Sequence, residues 1–132
     1  MASNSTIENI FKQFNEAFNR LKEALATPDT AELKQDAVIK RFEFTYELLW
    51  KLLKRIAEQE KLEAFSPKSA FQAAFQLGLI ENEELFIDII DARNKTSHIY
   101  SKMTAEEIYD FICDRVITAF DNVNQKIKEK YS

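Results

Sequence analysis

Arg93, Asn94, His98 and Tyr100 fall within eight residues, in the run Asp91-Ala-Arg-Asn-Lys-Thr-Ser-His-Ile-Tyr100, and His98 is the one histidine of the chain. A guanidinium offers a planar fork of donors to a phosphate oxygen, and an imidazole with an ordinary pKa of about 6.5 takes or gives a proton near neutrality. Together they suit phosphodiester chemistry. On RNA, His98 would remove the ribose 2′-OH proton while Arg93 stabilises the charged phosphorane, giving cleavage to a cyclic phosphate. Asn94 would orient the imidazole or hold a phosphate, and Tyr100 would donate a hydrogen bond or stack on a base. This scheme needs no metal and no cofactor.

Each residue also has an ordinary reading. Arg93 at a helix C-terminus favours the dipole, Asn94 serves as a helix cap, His98 is an exposed or capping histidine, and Tyr100 rims a core. On one straight helix, at about 100° per residue, Asn94 and His98 share a face while Arg93 and His98 lie about 140° apart. To meet, guanidinium and imidazole need the helix to open after about Lys95, or a second copy across a two-fold axis. Asp88 and Asp91 nearby, with a single His, do not make a hard-cation cage, so no metal site is expected.

The elements that must position this segment are helical. Ile7, Phe11, Phe14, Phe18, Leu21 and Leu25 recur at helical spacing and predict a helix from about Ser5 to Ala26, closed by Thr27, Pro28 and Asp29. Asp29 or Thr30 caps a second helix with the stripe Val38, Phe42, Tyr46, Leu49, Leu53 and Ile56, ending near Glu60. Phe44, Leu48, Trp50 and Leu52 fall outside that stripe, which predicts neighbours on two sides of this helix, as core or dimer interface. Ser66-Pro67 opens a short third helix that Gly78 ends. A fourth starts near Asn82, with Leu85, Phe86, Ile89 and Ile90 inward. Thr104-Ala-Glu-Glu107 reads as a capping box, with Met103 and Ile108 as its hydrophobic staple, ahead of a last helix with Ile108, Ile112, Val116, Ala119, Val123 and Ile127 inward and Cys113 in its core. The expected architecture is all-α, an antiparallel four- to five-helix bundle in a single domain over residues 1–132.

Composition removes other classes. One Gly and two Pro in 132 residues leave almost nothing for tight hairpins, excluding an all-β fold, and Gly78 alone writes neither a P-loop nor a dinucleotide fingerprint. A net charge of −4 opposes general coating of DNA, though not a local basic site. The lone Cys113 gives no disulfide framework, and no stretch is long and apolar enough for a membrane span, so a cytoplasmic protein is expected.

Arg93-Asn94-x-x-x-His98-x-Tyr100 resembles the Arg-x4-6-His signature of HEPN domains, small helical proteins often encoded beside minimal nucleotidyltransferases. More closely, Phe42-Glu-Phe-Thr-Tyr-Glu-Leu-Leu-Trp50-Lys, Ser66-Pro67, Gly78-Leu79-Ile80 and Arg93-Asn-Lys-Thr-Ser-His98-Ile-Tyr100 resemble, in order and spacing over about residues 5 to 130, the nucleotidyltransferase substrate-binding family within that group. The resemblance implies a homodimer with the Arg/His motifs near its cleft, and a separate minimal nucleotidyltransferase subunit as partner, carrying the metal-binding carboxylates. In related toxin-antitoxin pairs the HEPN member is a ribonuclease whose catalytic pair is matched here by Arg93 and His98. Its tyrosine, matched by Tyr100, receives AMP and is silenced. Other members are substrate-binding subunits, for which nucleotide or RNA would be the ligand.

Overall fold

A computed structural model of the chain describes residues 2–97 and 102–131, with side chains from Thr6 to Ser97 and from Thr104 to Tyr131. Among these residues every regular element is helical. Helix α1 (Ala2–Ala26) and helix α2 (Ala31–Gln59) form a long antiparallel hairpin. The short connection is held by Thr30, whose backbone N–H donates to Asp29 Oδ1 at 2.8 Å and whose Oγ1 accepts the Leu33 N–H at 3.3 Å, capping α2.

The two stripes read from the sequence face each other across this hairpin. Phe14, Phe18, Leu21, Phe42, Leu49 and Ile56 are all fully buried. Phe14, Phe18 and Phe42 gather around Phe120 at centroid distances of 6.2, 5.8 and 6.4 Å, so three helices share one aromatic cluster. Phe71 extends it, edge-on to Tyr46 at 6.0 Å and 5.0 Å from Phe86.

Helix α3 (Pro67–Gln76) begins at Ser66, whose Oγ accepts the Ser69 N–H while Ser69 Oγ accepts the Ser66 N–H, a reciprocal capping box. It ends with Gly78 at φ +76°, where the Gly78 and Leu79 N–H groups bond back to Phe75 and Ala74. The end of α2 uses the same device with Lys61 at φ +61° in the glycine position: Lys61 and Leu62 donate to Glu58 and Ala57. Helix α4 (Glu83–Thr96) is capped by Asn82, whose Oδ1 accepts the Leu85 N–H at 3.1 Å.

Helix α5 (Lys102–Phe111) passes through a π-helical turn, Ile112–Val116, into helix α6 (Ile117–Tyr131). The single uninterrupted last helix expected from the sequence is therefore corrected. Its inward residues Ile108, Ile112, Val116 and Phe120 follow one another at intervals of four, and a 3.6-residue turn would rotate such a series steadily off the core. A wider turn absorbs the excess, and all four are buried. Thr104 lies inside α5, which begins by Lys102, so the capping-box reading of Thr104 to Glu107 does not mark the start of this helix. Cys113, expected in the core, is exposed on the π turn.

The end of α6 laces the connections to the bundle. Lys126 pairs with Glu81 at 2.6 Å, Lys130 Nζ donates to the Leu77 carbonyl at 2.6 Å, and the Tyr131 hydroxyl donates to Glu60 at 3.2 Å. Among the described residues no helix is long and apolar enough to cross a membrane.

Candidate functional site

Helix α4 carries Arg93 and Asn94 in its last turns and closes at Thr96, with Ser97 as its C-cap. The expectation that the helix opens after about Lys95 agrees with that boundary. His98 and Tyr100 lie outside the described residues.

Arg93 does more than favour the helix dipole. Ile89 and Ala92 on the same helix are buried against the bundle, and this turns the Arg93 side chain toward α2, where it is only 23% exposed. Its Nη2 stands 3.7 Å from a Glu43 carboxylate oxygen and its Nε 3.8 Å from one of Glu47. Nη1 donates to Thr96 Oγ1 at 3.0 Å and to Ser97 Oγ at 3.4 Å, and the Thr96 hydroxyl in turn donates to the Arg93 carbonyl at 2.7 Å. The Nε atom is buried without a hydrogen bond. The guanidinium is thus placed by two ion pairs of loose geometry and two hydroxyls, and keeps donor capacity unspent.

Asn94, one helical step further round, is exposed. The structure brings Arg93 and Asn94 to neighbouring faces of one helix end, and the C-cap role considered for Asn94 belongs to Ser97.

Sequence reasoning misses Glu43 and Glu47. The signal is present, since two carboxylates one turn apart on an otherwise apolar stretch of α2 need a cation opposite them. Glu47 also accepts the Trp50 indole N–H at 3.1 Å. The Tyr46 hydroxyl, between these carboxylates in sequence, has its pKa pushed up to about 12, chiefly by burial and then by the Glu47 charge, with the Arg93 charge working the other way.

A groove of about 290 Å³ between α4 and α5 opens on the other side of this helix end, lined by Asp88, Asp91, Lys95, Glu107 and Phe111. No group of His, Cys, Asp or Glu among the described residues is arranged to hold a metal ion.

Residues 9–129 match the family model described as nucleotidyltransferase substrate binding protein like. The chain belongs to that family. A relative from Haemophilus influenzae, named as a probable ribonuclease HepT, is 34% identical over 84 residues, which cover 60% of this chain and 58% of that protein. The match therefore spans less than two thirds of that relative.

Among solved structures, a protein of Thermus thermophilus is similar at 31% identity and a TM-score of 0.78, over 87% of this chain and 98% of that one. The tri-AMPylated HEPN toxin of Shewanella oneidensis, solved in complex with its MNT antitoxin, shares the fold at a TM-score of 0.75 with 17% identity, over 94% of this chain and 97% of the toxin. A Haemophilus influenzae structure, reported to reveal the fold of a substrate-binding domain of a nucleotidyltransferase, has a TM-score of 0.68 and 22% identity, with 95% and 98% coverage. The fold of this family is the all-helical arrangement described above.

Proposed function

We propose that this chain is the HEPN-type substrate-binding subunit of a two-component minimal nucleotidyltransferase, engaging a nucleotide or RNA through Arg93, Asn94, His98 and Tyr100. The observation that carries the reading is the Arg93 guanidinium, seated at the end of α4 with a buried Nε that has no hydrogen bond. Membership of a family described as nucleotidyltransferase substrate binding protein like supports it, as does a fold shared with a toxin bound to an MNT antitoxin. The working unit in this reading is a cytoplasmic homodimer with a nucleotidyltransferase partner, and no metal or cofactor is held by this chain.

Binding of AMP and of a short single-stranded RNA to the full chain, with and without the partner, tests it. Arg93→Ala should weaken one of them at least tenfold, about 1.4 kcal/mol, while circular dichroism stays unchanged. Equal affinity of wild type and variant for both probes removes the proposal.

Similarity to a probable ribonuclease supports a second reading, a metal-independent endoribonuclease toxin silenced by AMP on Tyr100. His98 would take the 2′-OH proton as the 2′ oxygen attacks phosphorus, Arg93 would stabilise the phosphorane, and the P–O5′ bond would break with the 5′ oxygen taking a proton from water, giving a cyclic phosphate. RNA cut in EDTA by wild type and left intact by His98→Ala decides for this reading. A mass gain of AMP units on incubation with partner and ATP, lost in Tyr100→Phe, would establish the modification. Binding without cutting decides for the first.

A further inference from the structure

Helix α2 carries a second seam that the bundle covers only in part, Ala37 and Leu48 being half-buried and Leu33, Lys40 and Phe44 exposed. Leu33, Ala37, Lys40, Phe44 and Leu48 follow one another at helical spacing along its outer side, a line about 22 Å long at 1.5 Å per residue. Leu33 is 57% and Phe44 65% exposed, although both are bulky apolar residues. Beside Phe44 and Leu48 the seam deepens against α1 into a cavity of about 470 Å³, floored by Ala17 and edged by Arg20, Lys40 and Arg41.

We infer that this seam is a docking surface for an acidic amphipathic helix of another protein, with a bulky apolar residue seated beside Phe44. Three observations choose that occupant. Leu33, Ala37, Phe44 and Leu48 stand on one side of α2 at spacings of four, seven and four, with the Lys40 side chain between the two apolar pairs, a register that a helix laid along α2 would meet. The cavity lies between two antiparallel helices, the place a third helix takes in a bundle. The charge around it runs against the rest of the chain: Arg20, Lys40 and Arg41 face a single Glu16 in the lining, in a protein with a net charge of −4. On the opposite flank Glu43 and Glu47 are engaged by Arg93, so the cations set the sign of the field that an incoming helix meets. Arg41 is fixed in this rim because its Nη1 donates to the Arg20 carbonyl at 2.7 Å. The inference does not depend on the role of Arg93.

The test is titration of the full chain with a synthetic helix of about 18 residues, carrying Leu at its a and d positions and Glu flanking them. A matched helix with Lys in place of Glu serves as comparison. The Glu helix should bind, its affinity should fall with added salt, and the Lys helix should bind at least tenfold more weakly. Phe44→Ala and Lys40→Glu, at exposed positions that leave the core intact, should each weaken the Glu helix tenfold or more, whereas Ile87→Ala on α4 should not. Failure of the Glu helix to bind, equal binding of both helices, or indifference to Phe44→Ala overturns the inference. Two further results also overturn it by naming another occupant. One is a dimer of the chain alone that Phe44→Ala dissociates, and the other is tight binding of a uridine oligonucleotide lost in the same variant.

Discussion

Arg93 and Tyr46 illustrate how much of a side chain's behaviour is decided by one neighbouring helix. Arg93 leaves α4 and meets Glu43 and Glu47 of α2 at distances longer than hydrogen bonds, so it is oriented without being saturated. Tyr46 is governed first by its burial and then by the charge of Glu47. Its folded pKa of about 12 lies above the ordinary value of 10.0, so its contribution to stability is complete below about pH 10 and is lost as pH climbs toward 12. Ultraviolet titration of tyrosinate should show one residue ionising last, near pH 12, and Tyr46→Phe should remove that late step. If the step survives in Tyr46→Phe, the burial assigned to this hydroxyl is wrong.

One helix end and one helix middle carry the predictions at the next scale. Lys61 occupies the left-handed position that Gly78 fills at the end of α3, where a side chain costs of order 1 kcal/mol. Lys61→Gly should therefore raise the thermal midpoint by several degrees, up to about 1 kcal/mol of added stability, and a lower midpoint would refute the assignment. In the α5–α6 rod, deletion of Cys113 would turn the inward spacing of Ile108, Ile112, Val116, Phe120, Val123 and Ile127 into alternating fours and threes, the pattern of an ordinary α-helix. The variant should keep its helical circular dichroism and a thermal midpoint within about 4 °C of wild type, the shift roughly 1 kcal/mol produces. Unfolding on deletion would mean that the π turn is required by packing around it rather than by register. The helix starts at Thr30, Ser66 and Asn82 are legible because a cap is a local event involving three or four residues. The π turn escapes a reading that judges stripes residue by residue, although the unbroken run of fours already contains it. Thr104 fails as a start signal for the converse reason, a good local pattern placed where helical hydrogen bonding begins further upstream.

At the scale of the whole molecule, the buried stripes of the described helices are visible as periodicity, because burial is the strongest constraint on residue type. The site is visible only in part. Arg93 and Asn94 announce themselves by chemistry, whereas Glu43 and Glu47 stand about fifty residues earlier in sequence, and nothing local joins them to Arg93. Periodicity leaves Phe44 as core or interface, and its exposure removes the first of these within the chain. Long-range ties of the kind Lys126 makes with Glu81 have a pH signature. The Lys126 ammonium hydrogen-bonded to Glu81 holds its carboxyl below the ordinary 4.5. The stabilisation is therefore present above that value and is lost as pH falls through the lowered one. Because the pair is solvated the effect is small, and Glu81→Gln should lower the thermal midpoint slightly near neutrality and flatten its decline below pH 4.5. The lacing by α6 also ties down the connection between α3 and α4. Lys130 grips the Leu77 carbonyl where α3 ends, and a protease that trims the chain back past Ile127 would unpin that corner.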